Sequence, residues 1–155
     1  PRLARSGLSN VHPVRIAHEN DSHVKRLAGK LDRVLVDAPC SGLGTLRRNP
    51  DLKWRQTPAG VAELAAKQRA ILAGAARLVK PGGRLVYATC SLLAEENAAV
   101  VEHFLAAQPQ FRLLDAGALL AEADIATGCG QYLELAPHSH GTDGFFAAAL
   151  QRASA

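Results

Sequence analysis

The chain contains no methionine and few aromatic residues, since four Phe, two Tyr and one Trp make up only 5% of its 155 residues. Apolar residues make up 48%, so the core must be aliphatic and rich in alanine. A run of about eighteen apolar residues, the length that spans a bilayer, does not occur. The opening stretch, PRLARSGLSN, lacks both an initiating methionine and the apolar centre of a signal peptide. We therefore expect a segment of a longer polypeptide rather than a secreted or membrane protein.

The charge and the cysteines narrow the class of protein further. The formal net charge is +4 and the isoelectric point about 9.3, which permits a polyanionic partner without requiring one. Cys129, His138 and His140 do not have the spacing of a structural zinc site, so no metal is expected. With Cys40 and Cys90 the chain has three cysteines, an odd number, which favours free thiols in a reducing, cytoplasmic compartment.

The hydrophobic pattern of the first half predicts strands and helices in alternation. Residues 1–8 resemble the tail of a helix that ends at Gly7, and HPVRIAH at 12–18 predicts a short strand. The apolar run RVLV at 33–36 is typical of a strand buried on both faces. Thr57 and Pro58 predict the start of a helix, with a capping hydroxyl followed by proline at the first helical position.

The second half continues the alternation. Pro81-Gly82-Gly83 is expected to end the helix, and RLVYAT at 84–89 predicts a second buried strand. Ser91 is expected to cap the next helix, with two acidic residues early in it, and that helix should end near Pro109. FRLLDA at 111–116 and GFFAAAL at 144–150 predict the last strands, separated by a Gly-rich loop. This order implies one α/β domain with a doubly wound, parallel sheet.

A cysteine-containing turn follows each of the two buried strands. Asp37-Ala38-Pro39-Cys40 follows RVLV, and Cys90 follows RLVYAT. Because one crossover helix joins these strands, we expect them to be neighbours, with both thiols in the crevice beyond their carboxyl ends, where such sheets bind ligands. A single buried cysteine is common as a small apolar residue. Two cysteines at equivalent strand ends instead favour a functional site.

Three stretches closely resemble the RNA cytosine-C5 methyltransferases, in particular the bacterial Sun/Fmu-type ribosomal RNA enzymes. They are DAPCSGLGTLRRNPDLKW, LVKPGGRLVYATCSLLAEEN and GTDGFF, and the likeness is colinear from about residue 30 to the C-terminus. The resemblance implies a Rossmann-like, S-adenosylmethionine-dependent methyltransferase fold. It also implies methyl transfer to C5 of cytosine in RNA, which we expect to be ribosomal. Residues 1–155 would form the C-terminal portion of one catalytic domain whose N-terminal strands are missing.

By the same resemblance, Cys90 is the nucleophile that adds to C6 of the base, Cys40 assists release of the methylated product, and Asp37 lies between base and cofactor. Addition of a thiolate at C6 moves electron density onto C5, which is otherwise a poor nucleophile. Cysteine suits both steps because it is a strong nucleophile and a workable leaving group. DNA cytosine methyltransferases instead use a Pro-Cys motif for attack, so the choice of Cys90 depends on the resemblance alone.

The cofactor contacts are implied by the resemblance in the same way. Asp37, Pro39 and His18 are the expected contacts, Pro39 because it fixes the turn and His18 because it lies where counting back from Asp37 places an acid in the family. Glu19 or Asp21 would serve if the register slips. The family's glycine-rich cofactor loop and the acid that holds the ribose are absent from these residues.

A basic loop follows the first cysteine motif and is the expected RNA contact. Arg47, Arg48 and Lys53 could bind phosphates, although a solvated loop explains the arginines equally well. Trp54 could stack on a base, but packing among apolar residues is the favoured interpretation for the only tryptophan. The target base must be exposed or flipped for a thiol to reach C6.

Two further expectations concern assembly and the competing functions. Without the family's two upstream strands, the RVLVD strand would be an exposed apolar edge, through which the chain could dimerise. A non-catalytic RNA-binding or assembly module would explain the absent glycine loop, but such a module has no chemical need for two thiols. A thiol hydrolase ranks last, because no histidine lies beside either cysteine motif.

Overall fold

A single mixed sheet organises the molecule. The structure, a computed structural model, describes residue 5 and residues 7–154. The strands are β1 (Leu31–Asp37), β2 (Val79–Thr89), β3 (Phe111–Leu114), β4 (Leu133–Leu135) and β5 (Phe145–Arg152). Their order is β1-β2-β5-β3, and β4 pairs with β5 beside β3. The predicted α/β class, with one sheet and helices packed against it, is confirmed.

The sequence pattern predicted a parallel sheet, whereas the observed sheet is mixed. β1 and β2 are parallel, whereas β5 runs antiparallel to both β2 and β3. β5 begins where β2 ends, with Phe146 opposite Thr89. β5 starts at the end of the sheet where β3 stops, and it runs in the opposite direction, with Leu114 opposite Ala149.

The helices are short except for two. They are α1 (Ser22–Lys25), α2 (Leu52–Arg55), α3 (Pro58–Ala76), α4 (Ala98–Ala107), α5 (Ala116–Ala121) and α6 (Pro137–His140), with a 3-10 turn at Leu43–Thr45. α3 begins as predicted, because the Thr57 hydroxyl accepts the N–H of Gly60 at 3.1 Å. Among the residues that the structure describes, no helix is long and apolar enough to cross a bilayer.

The core lies between the sheet and the two long helices. Leu72 of α3, Leu85 of β2 and Val101 of α4 are completely buried there. Two aromatic contacts close it, Tyr87 against Phe146 at 6.4 Å between ring centroids and Phe104 against Phe111 at 5.2 Å. This core fixes the ends of β1 and β2, and with them the two cysteine turns.

Four expectations about single strands and helices need correction, the first two at the free side of β1. Residues 12–18 form no strand, since they pair with no neighbour, and Val14 remains 58% exposed. β1 is an edge strand and is not buried on both faces, because its Leu35 side chain is 69% exposed. The predicted helix tail at residues 1–8 lies mostly outside the described residues.

The other two corrections concern helix boundaries. α3 ends at Ala76, before Pro81-Gly82-Gly83, because β2 already starts at Val79 and residues 80–83 bulge out of its pairing with β1. α4 starts at Ala98, so Ser91 does not cap it. The Gly-rich segment at 126–142, expected to be a loop, contains β4 and α6.

Candidate active site

The two cysteine turns meet beyond the carboxyl ends of β1 and β2. These strands are adjacent and parallel, with Asp37 opposite Ala88, as the sequence predicted. The Sγ atoms of Cys40 and Cys90 are 3.4 Å apart, and both residues are half-buried and free of disulfides. The structure therefore brings together the two thiols that the sequence placed fifty residues apart.

The environment of the Cys40 sulfur differs from that of an exposed thiol. Burial, and to a lesser extent the neighbouring Cys90 sulfur, raises the pKa of the Cys40 thiol to about 12. Cys40 therefore keeps its proton at neutral pH, and either sulfur of the pair can donate to the other.

A glycine contact locks the first turn onto the second. Gly42 has a φ of 74°, in the left-handed region that favours glycine, and it directs the chain into the 3-10 turn. Gly44 N–H then donates to the Cys90 carbonyl at 2.9 Å, while the Gly44 carbonyl accepts from Gly144 N–H at 2.8 Å. The backbones of three segments thus lie side by side at the thiol pair.

Replacing Gly44 by alanine is expected to unlock this contact. A Cβ at Gly44 would approach the Cys90 carbonyl oxygen to 2.7 Å and the Gly144 carbonyl oxygen still more closely, so backbone would have to move. We expect Gly44→Ala to lower the free energy of unfolding by about 1–3 kcal/mol in urea titrations. Gly130→Ala is the matched control, because nothing lies within 4 Å of a Cβ there. Equal stability of the two variants would contradict this description of the turn.

Two arginines of the basic loop are held by a buried carboxylate. Arg47 Nε donates to Asp143 Oδ1 at 2.8 Å, and Arg48 forms a second ion pair with Asp143 Oδ2. Arg47 also donates to the Gly141 carbonyl at 3.1 Å. Burial opposes ionisation of Asp143, but the two guanidinium groups outweigh it and hold the pKa of this carboxyl below its ordinary value. The arginines are therefore structural as well as exposed, which neither of the two interpretations from sequence included.

The stability contributed by Asp143 is expected to depend on pH. Because its pKa is lowered in the folded chain, the contribution is present above the ordinary value of 3.8 and is lost as pH falls through the folded value. Asp143→Asn should therefore lower the melting temperature at neutral pH, and the difference from wild type should shrink below pH 3.8. Asp51→Asn, which removes an exposed pair with Arg55, is the control expected to change little. A pH-independent difference for Asp143→Asn would contradict the assignment.

Lys53 and Trp54 have exposed side chains on α2. Trp54 is 80% exposed, so the expectation that it packs inside is wrong. Leu52 is turned towards the Gly42 turn instead, which leaves Trp54 on the outer side of this single helical turn. Lys53 Nζ lies 4.8 Å from the centre of the indole ring.

A groove of about 520 Å³ lies beside α2 and opens next to both cysteine turns. Its walls are mainly apolar, with Lys53 and Glu95 at the rim, and the lining residues include Leu43, Thr57, Val61 and Leu93. Leu43 belongs to the turn after Cys40 and Leu93 to the turn after Cys90.

The residues predicted to hold the cofactor separate into two groups. Asp37 and Pro39 are exposed at the carboxyl end of β1, beside the thiols. His18 is not brought to them, because its neighbours Glu19 and Asn20 contact Gly74 and Arg77 at the far end of α3. The segment before α1 forms no strand that would direct it towards the site, so the structure does not bring His18 beside Asp37 and Pro39.

The residues that brace the turns were largely missed from sequence. Asn97 braces the second turn: it accepts from the Thr89 hydroxyl at 2.5 Å and donates to the Ser91 carbonyl at 3.0 Å. Glu96, expected in the first turn of a helix, is instead completely buried between the two cysteine turns. A carboxylate six residues after a cysteine motif gives no periodic signal that could have revealed this.

The third cysteine lies apart from the site. Cys129 lies in the segment before β4, where its sulfur contacts the carbonyl oxygens of Thr127 and of Glu134 in β4. The ring of His140 faces the Thr127 carbonyl. Across residue 5 and residues 7–154, no group of three or more His, Cys, Asp or Glu side chains is arranged to hold a metal ion.

Comparison with known proteins gives a consistent result. The sequence model of the 16S rRNA methyltransferase RsmB/F family matches residues 3–151. The ribosomal RNA small subunit methyltransferase B of Sodalis glossinidius is 46% identical over 119 residues, which are 77% of this chain and 25% of the relative. The chain spans 30% or less of the length of the curated relatives that it matches first.

Solved structures share the fold over nearly the whole chain. The crystal structure of PH0851 superimposes with a TM-score of 0.85 at 36% identity, covering 97% of this chain and 33% of that one. NSun6 from Pyrococcus horikoshii, solved with SFG, gives a TM-score of 0.76 at 30% identity, covering 99% of this chain and 37% of its own. With its colinear cysteine motifs, its fold and a family match over almost its entire length, the chain belongs to the 16S rRNA methyltransferase RsmB/F family.

Proposed function

We propose that this chain is the C-terminal part of a catalytic domain that methylates C5 of cytosine in ribosomal RNA through a covalent bond between Cys90 and C6 of the base. The observation that carries the proposal is the pair of free thiols, 3.4 Å apart, at the carboxyl ends of two parallel strands. An RNA-binding module without chemistry would not need this arrangement. Membership of a ribosomal RNA methyltransferase family supports the substrate class.

The raised pKa of Cys40 supports a division of roles between the two sulfurs, in which attack by Cys90 is taken from the family resemblance. The Cys90 thiolate attacks C6, and the electron pair of the C5–C6 double bond moves to C5, which accepts the methyl group. After a base removes the C5 proton, that electron pair re-forms the double bond and the Cys90–C6 bond breaks. Cys40, protonated at neutral pH because burial raises its pKa, can donate its S–H to the departing Cys90 thiolate and so assist release.

The described residues fit part of a cofactor site. When bound, S-adenosylmethionine supplies the electrophilic methyl group of its sulfonium. The related NSun6 structure contains SFG, an analogue of this cofactor. Asp37, an exposed carboxylate at the end of β1, would lie between the cationic sulfonium and the base, and Pro39 would fix that turn. His18 precedes α1, next to residues that contact the C-terminal end of α3, and is not brought beside Asp37 and Pro39.

The RNA would approach across the basic loop and α2. Within the part of the chain that the structure describes, the exposed Lys53 ammonium contacts the Trp54 indole and forms no ion pair, and Trp54 offers an open aromatic face. Arg47 and Arg48, although paired with Asp143, keep outward N–H groups, since their side chains are 52% and 65% exposed. The adjoining groove, which Leu43 and Leu93 of the two turns help to line, would be the path of the base towards the thiols.

The test is a methyl-transfer assay with two protein samples. One is this chain alone, and the other is a hybrid in which it replaces the matching segment of the Sodalis glossinidius relative. Each is incubated with methyl-labelled S-adenosylmethionine and small-subunit ribosomal RNA, and the RNA is digested to nucleosides. We expect labelled 5-methylcytidine from the hybrid. Label in another nucleoside, or none from a folded hybrid, would contradict the proposal and favour an RNA-binding module.

A further inference from the structure

A buried carboxylate links the two cysteine turns. The Glu96 side chain is completely buried and accepts four hydrogen bonds. Its Oε1 accepts from Ser41 N–H at 2.8 Å and from Gln68 Nε2 at 3.0 Å. Its Oε2 accepts from the hydroxyls of Ser41 and Ser91, both at 2.5 Å. Ser41 directly follows Cys40 and Ser91 directly follows Cys90, so one carboxylate holds both turns.

Gln68 extends this connection to α3. Its Nε2 also donates to the Pro39 carbonyl at 2.9 Å, so the residue before Cys40 is held as well. The orientation of the amide is fixed, because rotating it would place Oε1 against both the Pro39 carbonyl and the Glu96 carboxylate. Gln68 is fully buried, and its Oε1 has no hydrogen-bond partner among the described residues. The Gln68 side chain thus keeps both hydrogen bonds of its Nε2 although its buried Oε1 has no partner among these residues, which indicates that the two Nε2 contacts determine its position.

The backbone of Glu96 is also held, by a residue of the sheet. The Tyr87 hydroxyl, in the core of β2, donates to the Glu96 carbonyl at 2.6 Å. The backbone of Glu96 is therefore anchored to the sheet while its carboxylate anchors the turns. A buried carboxylate with four donors is costly to remove, because Ser41 N–H would lose its acceptor and Gln68 and the two serine hydroxyls would each lose one of theirs.

We infer that Glu96, supported by Gln68, is a positioning residue that sets the separation of the Cys40 and Cys90 sulfurs. The inference rests on the proposed function in one respect, namely that this separation matters for attack by Cys90 and release by Cys40. Misplacement of a reacting group by about 1 Å is sufficient to slow an enzyme strongly. Glu96 contacts neither base nor cofactor in this account and acts only through the two turns.

Two substitutions separate positioning from simple loss of stability. In Glu96→Gln, one oxygen still accepts from Ser41 N–H and Gln68, and the new amide N–H groups can donate to the two serine hydroxyls, which rotate to accept. In Glu96→Ala all four contacts disappear. Glu95→Gln is the matched control, since Glu95 is exposed and next in sequence.

The experiment measures how readily Cys40 and Cys90 form a disulfide in glutathione redox buffers. Glutathione disulfide oxidises the two thiols and is itself reduced to two glutathione molecules, so the equilibrium gives the effective concentration of one thiol near the other. Peptide mapping by mass spectrometry identifies the Cys40–Cys90 bond. We expect wild type, Glu95→Gln and Glu96→Gln to agree closely, and Glu96→Ala to have an effective concentration lower by about tenfold or more.

A folded Glu96→Ala variant with the wild-type effective concentration would overturn the inference. If Glu96→Ala does not fold, the double variant Ser41→Ala with Ser91→Ala decides, because it removes both hydroxyl donors and leaves the carboxylate with Ser41 N–H and Gln68. An unchanged thiol equilibrium in that variant would equally overturn it. Neither RNA nor cofactor is needed, so absence of methyl transfer from the wild-type hybrid would contradict the proposed function alone.

Discussion

Cys40 in the native chain is expected to react with iodoacetamide at pH 8 about a thousandfold more slowly than in the chain unfolded in urea. The thiolate is the reactive form, and burial raises the pKa of Cys40 from 9.0 to about 12 in the folded chain. The difference in thiolate fraction follows directly from these two values. Rates at each cysteine can be obtained separately by mass spectrometry of the digested chain after timed exposure.

The pH dependence of folding stability provides an independent check on the raised pKa of Cys40. Because the folded pKa is raised, the stability linked to Cys40 is fully present below pH 9.0 and is lost as pH rises from there towards 12. Cys40→Ala should therefore reduce the loss of stability between those values. Native alkylation of Cys40 as fast as in the unfolded chain would show that folding does not raise its pKa, and the support that this pKa gives to the division of roles between the sulfurs would fail.

Exchanging each cysteine for serine is expected to give opposite outcomes in the hybrid enzyme. Cys90→Ser should lower the rate of methyl transfer by about a thousandfold or more, because a serine hydroxyl is not ionised at neutral pH and cannot form the adduct. Cys40→Ser should still allow attack but slow release, so that a protein–RNA complex resistant to denaturant accumulates. The measurements are the initial rate of methyl transfer and the fraction of protein shifted on a denaturing gel.

The control for this pair is Cys129→Ser, which lies away from the two turns and should change neither quantity. Similar residual activity in Cys90→Ser and Cys129→Ser would contradict attack by Cys90. Accumulation of the complex in Cys90→Ser rather than in Cys40→Ser would reverse the assignment of the two thiols, as in enzymes whose nucleophile follows a proline.

The meeting of the thiols could be predicted from the sequence because it depends only on sheet topology. RVLV and RLVYAT are separated by one amphipathic helix, and a single crossover places the ends of two parallel strands side by side. The cysteines lie in the turns that directly follow these strands in the sequence, so they also lie side by side. The same reasoning failed for residues 12–18, because a strand requires a partner and none of the described strands lies against that segment.

What the sequence could not provide were contacts that cross between turns. Glu96 occupies a position expected in the first turn of a helix, and only the turn at 92–97 in the structure brings its carboxylate inward. The pairing of Asp143 with Arg47 joins residues that are 96 positions apart, for which no local pattern exists. Trp54 was assigned to the interior on composition, whereas the single turn of α2 has room for only one inward side chain.

The central claim is that Cys90 bonds covalently to cytosine in RNA, and mechanism-based trapping tests it most directly. The hybrid enzyme and this chain alone are incubated with S-adenosylmethionine and ribosomal RNA containing 5-fluorocytidine, and the products are run on a denaturing gel. Fluorine prevents loss of the C5 substituent, so the sulfur stays bonded to C6, and peptide mapping locates the bond. The account predicts an adduct at Cys90 that is absent from Cys90→Ser. No adduct from a folded hybrid, or an adduct at Cys40, would contradict it.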